Sequence, residues 1–189
     1  MKRDDIQISS YHLNERDDGS AEFISYWDNA ATGYNYGVEV EAAWQARTDL
    51  EYYASVGFLE TEFKGYTYAD GSTESGRDQA HAPQYQFNIG VNYFIGQDWH
   101  INLNLDGKDS FYFSDSHDEK SDSYLLMHGS INYQQDNWQL KLWARNIFDK
   151  TYATRGFYFG NDPRDEYTAK AYYQYGEPVL FGLTLDYQF

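Results

Sequence analysis

From Val179 to Phe189 the apolar residues fall at every second place, Val179, Phe181, Leu183, Leu185, Tyr187 and Phe189, with Gly182, Thr184, Asp186 and Gln188 between them. A period of two sends alternate side chains to opposite sides of an extended chain, so the stretch predicts a β-strand with one apolar and one wet face. The apolar set runs on to the last residue and finishes on an aromatic ring. The same pattern recurs upstream, in Trp138, Leu140, Leu142 and Ala144, in Leu125, Met127, Gly129, Ile131 and Tyr133, and in Trp99, Ile101, Leu103 and Leu105. Farther back come Phe87, Ile89, Val91, Tyr93 and Ile95, then Leu50, Tyr52, Ala54, Val56 and Phe58, then Tyr36, Val38, Val40, Ala42 and Trp44. A weaker segment surrounds Ile6 and Ile8. The pattern predicts an all-β, antiparallel up-and-down fold of about eight strands, with no helix beyond a turn or two in the loops.

The links between these strands alternate in length. Residues 46–49, 96–98 and 134–137 are tight turns, whereas 13–22, 64–83, 113–122 and 154–174 read as longer loops rich in polar residues. Short turns at one end and long loops at the other are the plan of a transmembrane β-barrel, and a soluble sandwich or jelly roll has less reason for it. Aromatic placement agrees: Trp44, Trp99, Trp138, Tyr133 and Tyr187 lie close to tight turns, and the aliphatic Val40, Leu103 and Leu142 lie farther in, as interfacial girdles require. Val91, Leu103, Leu142 and Leu183 are therefore expected to face lipid, and Asn92, Asn104, Lys141 and Asp186 to face water.

Composition changes the picture in three ways. The 189 residues hold 20 Tyr, 12 Phe and 5 Trp beside a net charge of −16, and the mean hydropathy is −0.79. Acidic chains of low hydropathy are often disordered, but those are poor in aromatics, so this one should fold. No apolar run is long enough for a membrane helix, a fact that does not bear on strands that show lipid only every second residue. Lys and Arg number 14 against 30 acids, which argues against nucleic acid as a partner. The absence of Cys removes disulfides and thiolate metal sites. The opening MKRDDIQISS has no apolar segment behind its basic pair, so no signal peptide is expected in it.

The stretches ARNIFDKTYATRGFYFGNDP and YYQYGEPVLFGLTLDYQF carry Asn146, Ile147, Phe148, Asp149 and Tyr152, then Gly176, Glu177 and Pro178, and NAATGYNYGVEVEAAW carries Gly37 to Glu41. In this order they resemble the C-terminal part of a TonB-dependent outer-membrane receptor. The resemblance implies that residues 1–189 form one C-terminal segment of a barrel of about 22 strands, with no plug domain in the segment. It further implies TonB-energised uptake of a scarce ligand, a ferric siderophore or similar chelate, by a full-length protein in the cell outer membrane, and inactivity of this segment alone. Outer-membrane lipid and lipopolysaccharide are the implied surroundings, and TonB is reached only through a missing N-terminal part. Phe181, Leu183, Leu185, Tyr187 and Phe189 match the signal that such families present to the outer-membrane assembly machinery. A self-contained eight-stranded barrel with a structural or adhesive role is the alternative. Against it, the wet face carries Glu39, Glu41, Glu51, Asp106 and Asp186 with only Lys141 and Arg145 as obvious counter-charges. In the filled interior of a small barrel unpaired acids cost several kcal/mol each, whereas a wide hydrated lumen removes that cost.

No constellation predicts catalysis, and no enzyme activity, metal or cofactor is expected. His12, His81, His100, His117 and His128 are scattered. Asp115, His117, Asp118, Glu119 and Asp122 gather in one stretch without calcium-loop spacing, so a solvated loop tip is expected there. Gly65, Gly71 and Gly76 read as loop flexibility rather than a phosphate cradle. The candidates for contact with a small-molecule ligand are Phe157, Tyr158, Phe159, Asp162, Arg164 and Tyr167, because aromatics with a few charged groups make a ligand surface.

Overall fold

A computed structural model describes every residue except Met1, Gly19, Gly65, 68–72, Ser75 and Ser116. Gly65 and Gly71 of the expected flexible loop therefore lie outside the described residues. The strands are β1 (Lys2–Glu15), β2 (Ala21–Arg47), β3 (Leu50–Lys64), β4 (Tyr66–Thr67), β5 (Thr73–Glu74), β6 (Tyr85–Ile95), β7 (Trp99–Lys108), β8 (Tyr124–Gln135), β9 (Trp138–Arg145), β10 (Ala153–Phe159), β11 (Lys170–Tyr175) and β12 (Leu180–Tyr187). Eight of them form one antiparallel sheet in the order β1-β2-β3-β6-β7-β8-β9-β12, and β4-β5 and β10-β11 are separate hairpins in the long links. A 3-10 turn at Pro163–Asp165 is the one helical element among the described residues.

Register explains why the sheet has two chemically distinct faces. Trp44 pairs with Tyr52, Tyr52 with Val91, Val91 with Leu103, Leu103 with Gly129, Gly129 with Ala144 and Ala144 with Phe181, so one apolar row crosses seven strands. The next row runs Leu50, Tyr93, Ile101, Ile131, Leu142 and Leu183. Because side chains alternate, the rows between them are polar, as in Glu51, Asn92, Asn102 and Ser130. The expected sidedness of Val91, Leu103, Leu142 and Leu183 against Asn92, Asn104, Lys141 and Asp186 follows this register.

Among the described residues only Phe111, Phe113 and Leu126 are buried large apolar side chains, while Phe181 is 83% and Leu183 61% exposed. A water-soluble domain of this length hides far more apolar surface than that. The apolar face is built to be covered by lipid, where only a paired backbone is tolerated. The sheet is open: β1 and β12 are its two ends, and Tyr36–Arg47 of β2 pairs with β3 alone among the described residues. It therefore does not take the form of a closed eight-stranded barrel.

Two links differ from expectation. Residues 13–22 do not form a long loop, since β1 and β2 stay paired up to Glu15 and Ala21 and leave 16–20 as the turn. An Arg16–Glu22 ion pair of 2.7 Å spans its base, and Asp18 accepts from the Ser20 backbone at 2.9 Å. From Asn14 to Glu22 the sequence holds no apolar residue but Gly19 and Ala21, so no alternation marks these strand ends. At about 3.3 Å per residue the 27 residues of β2 extend roughly 90 Å, far beyond the 9–11 that cross a bilayer. Residues 154–174 likewise contain the β10-β11 hairpin.

Candidate functional site

The wet face of the wall is a hydrogen-bonded ladder. Asp106 accepts from Asn88 at 2.6 Å and from Asn104 at 3.2 Å, and its other neighbour is His128 Nε2 at 3.1 Å. Glu51 accepts from Asn92 at 3.0 Å, and Asn92 Oδ1 in turn accepts from Asn102 and lies against His100 Nε2, both at 2.9 Å. Asp106 and Glu51 thus find amides and an imidazole in place of cations. Arg145 turns instead to Glu177, at 2.7 Å. A further cation, Lys108, stands on the wet row beside Gln86 and Tyr124.

At the outer end of β9, residues 145–152 and 176–179 make one knot. Asn146 is fully buried and left-handed (φ 48°), a conformation that Asn and Asp adopt more readily than other side chains. Its amide donates to the carbonyls of Lys150 and Glu177 and accepts from the Lys150 backbone, each at 2.9 Å. Asp149, also left-handed, accepts from the Val179 backbone at 2.9 Å. Tyr152 lies over Gly176, where an added Cβ would come within 2.0 Å of the ring. The Asn-Ile-Phe-Asp, Tyr and Gly-Glu-Pro elements are therefore partners: they return the chain from the β10-β11 excursion to β9, so that β12 can pair there.

Above the knot, three links fold onto one another. Phe111 and Phe113 meet edge to face at 5.7 Å, and Phe113 packs on Gly156 of β10, where a Cβ would lie 2.3 Å from the ring. The Arg77 guanidinium lies 4.0 Å from the centre of Tyr112, with Lys120 Nζ at 3.8 Å from it, and Arg77 pairs with Asp118 at 3.0 Å. Asp115 accepts from the Ala80 backbone at 3.0 Å, and Tyr173 donates to Glu119 at 2.7 Å. The acidic stretch is thus a set of ties between links rather than a free solvated tip. Burial, together with the Arg77 charge, holds His117 below the ordinary imidazole pKa, against the pull of Glu119 and Asp118. Nothing in residue spacing announced this small core, although Phe111, Phe113 and the glycine of β10 are its ingredients.

The six ligand-contact candidates share one hairpin but not one surface. Phe157 is registered opposite Tyr172, and Phe159 packs on Tyr172 at 5.1 Å, giving an open aromatic face. Tyr158 points the other way, 6.2 Å from the His117 ring. Asp162 and Arg164 satisfy each other through two contacts of 2.9 and 2.8 Å, and the guanidinium keeps the Asp162 carboxyl below its usual range. Tyr167 is exposed beside them. In β12, Phe181, Leu183, Leu185 and Tyr187 share the apolar face, and Phe189 meets Tyr187 edge to face at 5.0 Å.

Comparison with known proteins places this architecture. Residues 1–147 match the family model described as TonB dependent receptor-like, beta-barrel. The ferric yersiniabactin uptake receptor FyuA from Yersinia pestis superposes with a TM-score of 0.71 at 20% identity, over 87% of this chain and 25% of its own. The ferric-catecholate import receptor Fiu from E. coli K12 gives 0.62 at 18%, over 97% and 24%. The copper transporter OprC gives 0.67 at 16%, over 98% and 27%. At such identities the likeness is one of fold, and the chain spans about a quarter of each of these proteins. With three-quarters of its length inside the family model, the chain belongs to the TonB-dependent receptor β-barrel family.

Proposed function

We propose that the chain is one barrel segment, residues 1–189, of an outer-membrane receptor that takes up a ferric siderophore or similar chelate with energy delivered through TonB, and that it is inactive apart from the rest of that receptor. The observation that carries this reading is the open sheet with a continuous apolar face and a hydrogen-bonded polar face, in a chain of this family. Two of the receptors it resembles are named for ferric chelates. On this reading the apolar rows meet outer-membrane lipid, the mouth lies among lipopolysaccharide, and β12 with Phe189 is offered to the assembly machinery. The open face of Phe157 and Phe159 contributes to ligand contact, with Asp162, Arg164 and Tyr167 at the tip of the same hairpin and Tyr158 on its opposite side. The test uses the receptor that carries this chain, with residues 156–172 deleted, in iron-limited cells supplied with a panel of ferric chelates. Uptake of one chelate should require TonB and should fall with the deletion, while the barrel keeps its heat-modifiable mobility. Uptake indifferent to TonB, or binding of no ferric chelate, would overturn the reading.

A further inference from the structure

Two histidines stand on the wet face of the wall, and their partners leave them different freedom. His100 sits between side-chain amides: Asn92 Oδ1 lies 2.9 Å from its Nε2, and the Asn132 amide nitrogen 3.4 Å from its Nδ1. An amide can turn end for end and offer oxygen or nitrogen as the ring requires. His128 has no such neighbours. Its Nδ1 accepts from the Asn146 backbone N–H at 3.3 Å, and its Nε2 lies 3.1 Å from the Asp106 carboxylate. A backbone N–H only donates, and an ionised carboxylate only accepts. Nδ1 is therefore bare and Nε2 carries the hydrogen, so the two partners together select one neutral tautomer.

Among the described residues the Asn146 N–H has no other acceptor. Asn146 is 2% exposed, so water does not stand in for Nδ1. His128 is 22% exposed on a luminal groove, and solvent can bring it a proton. Imidazolium donates from both nitrogens. It gains a charge-assisted bond to Asp106 and sets one N–H against another at Asn146, so it cannot keep both partners. Other charged or titratable groups surround it. Glu39, Lys108, Tyr124, Tyr152 and Arg145 line the groove toward the mouth, and Lys141 and Asp186 the groove on the other side. Arg145 is turned to Glu177, and Asp106 is the one charged group in contact with the ring among the described residues.

We propose that His128 is a proton-operated catch between the wall and the knot. Neutral, it holds Asn146 at the foot of the β10-β11 hairpin; protonated, it stays with Asp106 and lets the knot loosen. Asn146 is the place where such a release has reach, because its side chain ties Lys150 to Glu177, the two chain segments that enter and leave the hairpin. On the uptake reading above, that hairpin carries Phe157 and Phe159, so acidity weakens its hold on the ligand. That functional consequence rests on the uptake reading, and the catch itself does not.

The experiment uses the full receptor in lipid vesicles, without ligand, and follows hydrogen exchange at pH 7.5 and 5.5, a span in which imidazoles change charge. Rates are corrected for intrinsic pH dependence and referred to β6. Residues 146–152 of the wild type should exchange about tenfold faster at the lower pH, the effect of one buried N–H left without its acceptor. His128→Gln keeps an acceptor for Asn146 and a donor for Asp106 but takes up no proton, so the rise at 146–152 should vanish while any rise at 109–123 persists. His100→Gln should leave the rise at 146–152 in place. His128→Arg, a permanent cation with no acceptor, should hold 146–152 in the fast state at both pH values. Nitrogen-15 spectra of the imidazoles should show a bare Nδ1 at pH 7.5 in the signal that His128→Gln removes. No rise in the wild type, a rise that survives His128→Gln, or a hydrogen found on Nδ1 at pH 7.5 overturns the catch. Each variant is first checked for the heat-modifiable mobility of the intact barrel, and if His128→Arg fails it, the wild type, His128→Gln and the spectra decide. A receptor that takes up no ferric chelate removes the uptake reading and leaves the catch standing.

Discussion

Along the wall, Leu103 and Leu142 are 39% and 50% exposed; at the mouth, Phe111 and Phe113 are 3% and 4% exposed, packed by residues from three links. The wall leaves its apolar surface for lipid to cover, and spends its side-chain hydrogen bonds on the luminal ladder. The mouth makes its own small core and ties it with Arg77, Glu119 and Asn146. A sheet of this kind can repeat a two-residue rule because the bilayer is the same at each strand. Loops in water have no such uniform partner, so each contact has to be specified individually. The wall should then be sensitive to residue class at each depth, and the mouth to individual atoms.

The largest effect expected on that difference comes from a charge on the lipid face. Leu142→Arg should destabilise the barrel by about 2–4 kcal/mol near the bilayer midplane, whereas Asp186→Asn on the wet face should cost far less. Denaturant titration of the receptor in lipid vesicles reads both, and similar costs on the two faces would contradict the assigned sidedness.

Asn146→Ala should come next, at about 2–3 kcal/mol, because it strands two carbonyls and one N–H and forces Ala into a left-handed backbone. Hydrogen exchange should quicken at residues 146–152 and at the start of β12, with β6 and β7 unchanged. Asn146→Gly separates the two causes, since it relieves the backbone and still loses the bonds.

Gly156→Ala should cost about 1–3 kcal/mol locally by pushing the Phe113 ring off β10. Faster proteolysis in the 109–123 link with unaltered heat-modifiable mobility would confirm that mouth and wall are separable, and a drop in the barrel's own unfolding midpoint would join them.

The smallest effect concerns pH. His81 and His117 are both held below the ordinary value of 6.5, first by burial, so the unfolded links bind protons more readily than the folded ones. Stability of the mouth should be fully present above about pH 6.5 and should decline as pH falls below it. Exchange rates in 109–123, corrected for intrinsic pH dependence, should rise from pH 7.5 to 5.5 relative to those of β6. His81→Gln with His117→Gln should flatten that rise.

Residue order alone fixed the wall. Eight strands, tight turns around 46–49, 96–98 and 134–137, and the sorting of Leu103 and Leu142 from Asn104 and Lys141 all follow from period two, because one face meets lipid and the other water. The motif pieces around Asn146 and Gly176 were also legible, though not that they bond to each other. Tertiary structure alone decided the rest. It carried β1 to Glu15 and began β2 at Ala21, in a stretch too poor in apolar residues for alternation to show, turned Tyr158 away from Phe157, and tied Asp162 to Arg164. It also set His81 and Lys108 against the Phe111 ring. Those outcomes depend on which links fold back on which, and contacts between residues 30 to 70 positions apart leave no period in the sequence to be read.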